Sequence, residues 1–393
     1  MAVYLDHAAT TPMLPEAIDA YAEALRTVGN ASSIHAFGQA AKRSLEEARE
    51  AVAASVGADP IEVVFTSGGT EAINLAVKGL FWARHPGERP RRAIVAPEGE
   101  HHATIDAIEW LERHEGARAR WIPLDASGVV DRDAWHRALA PDPGDEAALA
   151  TALWANNEIG TIEPVAELAA AAREAGVPIH VDAVAAYGHV PIDFRALGAA
   201  ALSVSAHKIG GPVGIGALVL ARTAAVEPLL HGGGQQRGIR SGTQDVAAAA
   251  AFAAAARAMQ RDFAARNARL VALRERVIAG VHQAVPEARL SGPGGDARLS
   301  MNAHFTFPGA QGDSLLFLLD QQGVAVSTGS ACQAGIPEPS HVVRAIGRTA
   351  AESRSALRIT LGETSTEADV DALLAALPAA YAKAREAGLT TRG

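Results

Sequence analysis

The stretch IEVVFTSGGTEA, residues 61–72, carries the first clear structural signal of this chain. Residues 61–66 are a short apolar run rich in β-branched and aromatic side chains, which is typical of a strand. Two glycines follow, and residues 70–80 then have the composition of a helix. A strand, a glycine turn and a helix in direct succession indicate the start of an α/β unit.

The same alternation continues through the first half of the chain. We predict further strands and helices in the following ranges: strands at 92–96, 148–154, 178–182, 201–206 and 217–221, and helices at 102–112 and 165–175. This order predicts an α/β fold with a large, mostly parallel, doubly wound sheet and helices on both faces. Ligands of such sheets bind at the carboxyl ends of the strands.

The second half has a different pattern. Residues 245–285 are almost all helix formers and predict one or two long helices. Later elements are predicted as strands at 302–307, 324–327 and 357–361, and helices at 313–321 and 367–384, the last interrupted or kinked at Pro378. These elements predict a smaller α+β domain. We expect residues 15–255 to form the large domain, and residues 1–14 and 256–393 to form the small one.

Composition excludes several classes of protein. The formal net charge is -9, with acids and bases mixed along the chain, so a nucleic-acid partner has no electrostatic support. We find no uncharged apolar run of membrane length, and the N-terminus lacks the basic start and apolar stretch of a signal peptide. Cytoplasmic residence is the resulting expectation. The chain has one cysteine, which excludes an internal disulfide and a zinc site built on several thiolates.

The glycine turn at residues 67–72 is a candidate anion site. Free backbone N–H groups at a helix N-terminus bind phosphate, and Thr70 adds a hydroxyl. A nucleotide P-loop is not indicated, because the Gly-Lys-Ser/Thr ending is missing. The alternative is a tight turn without a ligand.

Asp182 and Lys208 are the second candidate pair. Asp182 ends the strand predicted at 178–182, and Lys208 lies 26 residues later, which fits one β–loop/helix–β unit. Both side chains would then project over one crevice. A lysine Schiff base with an Asp facing the pyridinium nitrogen is the arrangement expected for pyridoxal phosphate. The alternative is a surface lysine and an ordinary strand-end carboxylate.

Other polar residues also follow strand ends. Asn157 could donate a hydrogen bond to the phenolic oxygen of such a ring, or only form a turn. His101 could stack on the ring and move protons near pH 7, or only cap a helix. The glycine-rich residues 231–243 carry cations and hydroxyls that could close over an anion, or form a bare loop.

Two residues of the second half point to substrate chemistry. Cys332 lies among small, polar and glycine residues, which favours an exposed nucleophile over a buried small hydrophobe. Arg358 is a charge inside an apolar strand, where it needs a partner. That partner is either a substrate carboxylate held by the guanidinium or an intramolecular carboxylate.

Taken in order, these residues resemble the cysteine desulfurase family of the NifS/IscS type, in the class V aminotransferase group of fold-type I pyridoxal-phosphate enzymes. The likeness covers nearly the whole chain. It is carried by the motifs YLDHAATTP at 4–12, GNAS at 29–32 and EPSH at 338–341, and by residues 66–74, 156–160, 180–183, 205–211, 232–243 and 327–332. The resemblance implies conversion of L-cysteine to L-alanine, with the sulfur held on Cys332 as a persulfide.

The resemblance also implies which residues hold the cofactor, pyridoxal 5'-phosphate. Lys208 is similar to the Schiff-base lysine and Asp182 to the partner of the pyridinium nitrogen. His101 is similar to the ring-stacking, catalytic histidine, and Asn157 to the ligand of the phenolic oxygen. The residues that resemble phosphate ligands are Gly69, Thr70, Ser205 and His207.

Substrate and partners follow from the same resemblance. Asn30, Asn157 and Arg358 resemble ligands of the substrate. Thr243 is similar to a phosphate ligand donated by the neighbouring subunit, which implies a homodimer. The long segment after Cys332 resembles the branch whose catalytic cysteine lies on a mobile loop, and that branch delivers sulfur to iron–sulfur scaffolds or tRNA-thiolation proteins. No resident metal is expected, with Cys332 considered as a transient ligand of a metal shared with a scaffold.

One position departs from the family pattern. Ala185 stands where the family usually has a glutamine that donates to the phenolic oxygen. Two alternatives stay open beside the desulfurase, and Ala185 supports only the second of them. One is a selenocysteine lyase or aminotransferase of the same group, in which Cys332 is incidental. The other is a weakly active homologue that acts mainly as a partner-binding protein.

Overall fold

The computed structural model describes residues 2–84, 91–142, 145–329 and 339–390. Its strands are β1 (Val3–Tyr4), β2 (Val63–Thr66), β3 (Ala93–Pro97), β4 (Arg118–Ile122), β5 (Ala147–Leu153), β6 (Ile179–Asp182), β7 (Ala201–Ser205), β8 (Gly216–Leu220), β9 (Arg289–Leu290), β10 (Asn302–Thr306), β11 (Val324–Ala325) and β12 (Ala356–Thr360). Cys332 lies outside the described residues.

The helices occupy both halves of the chain. They are α1 (Pro15–Leu25), α2 (Ala36–Ser55), α3 (Gly69–Arg84), α4 (His102–Glu115), α5 (Arg132–Leu139), α6 (Val165–Glu174), α7 (Phe194–Leu197), α8 (Val246–Arg261), α9 (Phe263–Ala284), α10 (Gly312–Asp320), α11 (His341–Ala345), α12 (Ala350–Ser353) and α13 (Glu367–Thr390). None of these helices is long and apolar enough to cross a membrane, a statement that covers the described ranges only.

The central sheet has seven strands in the order β2-β8-β7-β6-β5-β3-β4. Strand β8 runs antiparallel to both neighbours, β2 and β7, and the remaining pairs are parallel. The predicted mostly parallel sheet is confirmed. Strand β4 was not predicted, because RARWI alternates charged and apolar residues at the sheet edge and has no continuous apolar run.

Neighbouring residues of one strand enter different cores, which shows that helices cover both faces of this sheet. Val63 and Phe65 pack in the core that includes α2, α6 and α8, whereas Val64 packs with α3 and α4. This alternation follows from the two-residue period of a strand. The doubly wound arrangement predicted from the sequence is therefore present.

The second half builds a smaller antiparallel sheet, β9-β10-β12, which packs against α9 and α10, and α13 packs against these two helices. The chain's first strand, β1, pairs in parallel with β11, so the N-terminal residues join elements from the far end of the sequence. Helix α8 runs continuously across the expected domain boundary at residue 255. The division into 15–255 and the remainder stays a prediction.

Helix α13 continues through Pro378, so the predicted interruption is absent, while the alternative of a kink stays a prediction. Proline removes one intrahelical hydrogen bond. Pro378 itself is exposed, while Leu377, Ala380 and Tyr381 on the other side of the helix are buried. The buried side of the helix is therefore continuous across Pro378.

Candidate active site

A cleft of about 310 Å³ lies at the carboxyl ends of the central strands, and we call it the strand-end cleft. It brings together residues that are distant in sequence. The predicted site residues in its lining are Gly69, Thr70, His101, Asn157, Asp182, Ser205, His207, Lys208 and Arg358. Ala185 and Gly329 line the same cleft. The position fits the rule for ligands of parallel sheets.

The start of helix α3 supplies an anion site. The first helical hydrogen bond is donated by the N–H of Ala72 to the Gly68 carbonyl, so the amides of Gly69 and Thr70 are not used by the helix. Ser205 Oγ is buried in the same lining and finds no hydrogen-bond partner among the described residues. A phosphate oxygen would satisfy these donors.

Glu71 ties this turn to the glycine-rich loop. Its carboxylate accepts from Arg240 Nε at 2.8 Å and from the Ser67 N–H at 2.7 Å. Burial works against ionisation, but these hydrogen bonds lower the pKa of Glu71. The Arg240 cation predicted to close over an anion is therefore paired with a carboxylate of the chain itself.

Asp182 is a buried carboxylate at the end of β6. One oxygen accepts from the Val184 N–H at 2.9 Å. Burial raises its pKa to about 6, while the Val184 hydrogen bond and the Lys208 cation act in the opposite direction. A buried carboxylate facing a cleft is stabilised by a cation, and a protonated ring nitrogen would provide one.

Lys208 reaches the cleft from a short 3₁₀ turn, Ala206–Lys208, that follows β7. Its ammonium group donates to the backbone carbonyls of Ala8 and Ala9, the second at 3.0 Å. Asp182 and Lys208 thus project over one crevice, as predicted from their spacing. The contact with residues 8 and 9 was not predicted.

His101 is the N-cap of helix α4, and its Nδ1 accepts from the Ala103 N–H at 3.0 Å. Burial, followed by the charges of Lys208, His102 and His341, lowers the pKa of this ring to about 4. The ring is therefore neutral near pH 7, with its proton on Nε2. The stacking and proton-transfer roles of His101 both stay predictions.

Arg358 has an intramolecular partner. Its guanidinium donates to Asp6 Oδ1 at 2.9 Å and to the Asn157 carbonyl at 3.1 Å. Its Nε is buried and lacks a partner within the described part of the chain. The salt bridge considered as the alternative is present, and the role as a carboxylate ligand stays a prediction.

The adjacent residues Asn156 and Asn157 have different roles. Asn156 is buried, and its side chain accepts from the N–H groups of Glu158 and Ile159 and donates to the Gly99 carbonyl. This network fixes the turn, and Asn157 then lines the cleft. Asn30 and Thr243 are exposed and are not in the lining that the described residues form. Their roles, including the donation of Thr243 to a second subunit, stay predictions.

Glu100 is a functional candidate that the sequence reasoning missed. It is fully buried, one oxygen accepts from the Leu153 N–H at 2.7 Å, and the other has no partner in the described ranges. Burial raises its pKa to about 8, with the nearby Asp182 and Glu163 charges acting in the same direction. The available signal was a charged residue three positions after a buried strand and next to His101.

Replacing Glu100 with glutamine is expected to change how stability depends on pH. In the unfolded chain this carboxyl loses its proton near pH 4.5, whereas the folded protein retains it until about pH 8. Folding takes up a proton between these values, so the group lowers the free energy of unfolding by about 1.4 kcal/mol per pH unit as pH rises. Glu100→Gln should remove this loss.

Urea denaturation of the cofactor-free protein at about pH 5, 6.5 and 8 measures the effect. The free energy of unfolding of Glu100→Gln, relative to the native chain, should increase with pH. Exposed Glu98 is the matched control, and Glu98→Gln should run parallel to the native curve. If the free energy of unfolding of Glu100→Gln changed with pH in the same way as that of the native chain, the buried carboxyl would be ionised in the folded protein.

Metal ligands are not grouped in the described residues: these contain no set of three or more His, Cys, Asp or Glu side chains arranged to hold an ion. Cys332 lies outside the described ranges, so its role as a transient metal ligand stays a prediction.

Comparison with known proteins places the chain among related sequences and structures. Residues 3–373 match the family model described as aminotransferase class-V. The chain is 53% identical over 390 residues to an IscS-like cysteine desulfurase of Mycobacterium tuberculosis, with 99% of each chain covered. It is 38% identical to the cysteine desulfurase IscS of Clostridium botulinum, with 98% of this chain and 95% of the relative covered.

Solved structures give the same picture. The chain superposes on a NifS-like protein with a TM-score of 0.89 at 30% identity, covering 98% of this chain and 100% of the other. It also matches SspA in complex with cysteine, with a TM-score of 0.78 at 30% identity, covering 91% and 98% of the two chains.

Proposed function

Since this chain belongs to the class-V aminotransferase family and, within it, to the pyridoxal-phosphate-dependent cysteine desulfurases, we propose that it moves sulfur from L-cysteine to Cys332. One observation carries the assignment of Cys332. Gly329 lines the strand-end cleft together with Lys208 and Asp182. Cys332 follows Gly329 by three residues in the sequence, and a chain of three residues spans at most about 11 Å.

The residues of the cleft fit pyridoxal phosphate. Ser205 Oγ and the free amides of α3 would bind the phosphate, together with Thr70 and His207. Asp182 would pair with the ring nitrogen, and Lys208 would hold the cofactor covalently. His101 would stack on the ring, and Asn157 would donate to the phenolic oxygen. When bound, the cofactor supplies an aldehyde that joins the substrate amine and a ring that accepts electrons from Cα.

The chain's own residues then handle the substrate. Lys208 would take the proton from Cα of L-cysteine, and Arg358, with Asn157 and Asn30, would orient the substrate carboxylate. The Cys332 thiolate would attack the substrate sulfur. The carbon–sulfur bond breaks, a carbon–hydrogen bond replaces it, and Cys332 gains the sulfur as a persulfide. L-Cysteine and one thiol thus give L-alanine and one persulfide, so the carbon is reduced as the sulfur is oxidised.

Several parts of the proposal concern a second subunit, the cellular location and the protein that accepts the sulfur. We propose a homodimer in which Thr243 contributes to the partner's phosphate site, and Thr243 is exposed in this structure. We also propose cytoplasmic residence and delivery of sulfur to a protein acceptor, such as an iron–sulfur scaffold or a tRNA-thiolation protein. Sedimentation of the purified protein and sulfur transfer to each acceptor class test these parts.

The first experiment measures alanine and sulfide release from L-cysteine with a thiol reductant, alongside the visible absorbance of the purified protein. Equal amounts of both products from a yellow protein support the desulfurase. A yellow protein that releases little of either favours the weakly active homologue. A protein that cannot take up pyridoxal phosphate would contradict the proposal.

Ala185→Gln is expected to increase turnover. Ala185 lines the cleft, and its methyl group offers no donor to the phenolic oxygen. A hydrogen bond to a charged oxygen contributes about 1.5–3 kcal/mol, and if part of this is expressed in the rate, kcat rises up to about tenfold. The absorbance maximum of the bound cofactor should shift as well.

Ala185→Met is the matched control, because methionine has a similar length and no amide. Kinetics and absorbance spectra of both variants separate the donor from the added volume. Equal behaviour of the glutamine and methionine variants would show that the missing donor does not limit this enzyme.

A further inference from the structure

The N-terminal turn, residues 6–9, lies against Lys208 and has no role in the mechanism above. The Ala9 N–H donates to the Asp6 carbonyl at 3.0 Å, which closes the turn. The carbonyls of Ala8 and Ala9 both accept from the Lys208 ammonium group, the second at 3.0 Å. Ala8 and Ala9 also belong to the lining of the strand-end cleft. The turn therefore presents two backbone acceptors to the lysine inside the cleft.

Thr360, the last residue of β12, fixes this turn from the protein interior. Its side chain is fully buried, and its Oγ accepts from the Ala8 N–H at 2.9 Å. The main chain reinforces this contact, because the Thr360 N–H donates to the Leu5 carbonyl at 2.8 Å and the Thr360 carbonyl accepts from the His7 N–H at 3.4 Å. The peptide that carries one of the two acceptors is thus oriented by a hydroxyl from the far end of the sequence.

Tyr4 fixes the same turn from the solvent side. Its side chain is exposed, and its hydroxyl lies 3.0 Å from the Asp6 carbonyl oxygen and 2.9 Å from the Thr10 carbonyl oxygen. One of these oxygens lies at the start of the turn and the other just after its end. The Thr11 N–H then donates to the carbonyl of His207, the residue before the lysine, at 3.2 Å. This backbone contact keeps the turn beside the lysine independently of the ammonium group.

We propose that the N-terminal turn is the acceptor site for the Lys208 ammonium when this lysine is not linked to the cofactor, and that Thr360 and Tyr4 are positioning residues that hold the site. The inference rests on the proposed function, in which Lys208 takes the proton from Cα of L-cysteine. In that step the carbon–hydrogen bond breaks, a nitrogen–hydrogen bond forms at Nζ, and the electron pair of the broken bond stays on the carbon side. The lysine becomes a cation, and hydrogen bonds to two carbonyl oxygens stabilise that charged form.

Other charged and titratable groups also surround Lys208. They line the cavities that this residue lines, or act on its charge, and they are Asp182, His101, His207, Arg358 and His7. Removing the hydroxyl of Thr360 or of Tyr4 deletes none of these groups. A change in the titration of Lys208 in such a variant therefore reports the carbonyls of the turn.

The first test compares Thr360→Val and Tyr4→Phe with the native chain in the cofactor-free protein. Only a neutral amine reacts with acetic anhydride, so the acetylation rate of Lys208 against pH, read by peptide mass spectrometry, measures how firmly the ammonium is held. Because hydrogen bonds to the charged form favour it, we expect the pH of half-maximal rate to fall by about half a unit or more in both variants. Exposed Lys42 is the internal reference and should not change.

The second test measures alanine release by the holoenzyme. We expect kcat to fall about tenfold in Thr360→Val, because a displaced base is poorly oriented toward Cα. Thr360→Ser keeps a hydroxyl that can accept from Ala8 and should recover most of the native kcat. Thr306→Val is the matched control, since Thr306 is equally buried on the neighbouring strand β10 and its Oγ has no partner among the described residues. This control should leave kcat and the acetylation of Lys208 unchanged.

An unchanged acetylation profile of Lys208 in both variants would overturn the inference. So would a native kcat in Thr360→Val, because the site would then not matter for the reaction, or equal losses in Thr360→Val and Thr306→Val. If Thr360→Val does not fold, Tyr4→Phe decides, since it changes an exposed side chain. Failure of the proposed function looks different: Lys208→Ala would still exchange the Cα proton of L-cysteine for deuterium, whatever the acetylation profiles show.

Discussion

Replacing Cys332 with serine should reduce sulfide and alanine release from L-cysteine by at least about a thousandfold, as expected for loss of a reaction's nucleophile. A serine hydroxyl is protonated at neutral pH and does not accept sulfur, and the chain has no second thiol to replace it. Visible absorbance and the spectral response to L-cysteine should persist, because neither depends on Cys332.

Selenocysteine provides the control for the alternative enzyme. If the chain were a selenocysteine lyase with an incidental cysteine, Cys332→Ala would keep its native rate with selenocysteine. The desulfurase predicts that Cys332→Ala loses turnover of L-cysteine. Sulfide release by Cys332→Ser at the native rate would contradict the mechanism and leave only the cofactor assignment.

The sequence predicted the central sheet and most of the cleft for one physical reason. In a parallel sheet, the residues that follow each strand meet at one edge, so chain order alone brings Asp182, Lys208 and Asn157 together. Their placement needs only the strand periodicity and the lengths of the connections. The same logic located the phosphate turn before α3.

Contacts between residues far apart in the sequence could not be predicted from strand order. Arg358 and Asp6 are 352 residues apart, and no local pattern pairs them. The sequence left a substrate carboxylate and an internal salt bridge equally possible as partners. The contact of Glu158 with Ser340 spans 182 residues and is of the same kind.

Protonation states also could not be predicted from the sequence. A histidine near the cofactor suggested proton transfer near pH 7, because the usual pKa of imidazole lies there. The pKa of His101 falls to about 4 once the ring is buried beside Lys208. Glu100 changes in the opposite direction for the same reason, since burial disfavours the charged form of either group. Burial depends on the finished fold and not on residue identity.

Lys208→Ala should remove the visible absorbance of the substrate-free holoenzyme and reduce kcat/KM by at least about a thousandfold, because both the covalent link and the base at Cα are lost. Lys208 also donates to the Ala8 and Ala9 carbonyls, so part of the effect could be structural. Lys208→Arg separates these roles. Arginine can keep the backbone contacts but cannot form the link, and it should be as inactive as alanine while more stable to urea.

Chemical labelling gives an independent readout of the same assignment. The chain has four lysines, at positions 42, 78, 208 and 383, and borohydride reduction makes a cofactor–lysine bond permanent. Peptide mapping should find the reduced cofactor on Lys208 alone. Lys78 is the matched control, since its ammonium lies over the Trp110 ring, 4.5 Å from its centroid, and Lys78→Ala should retain the label and the absorbance. A label on any other lysine, or an unchanged spectrum in Lys208→Ala, would contradict the assignment, because only a lysine that faces Asp182 can place the ring nitrogen against that buried carboxylate.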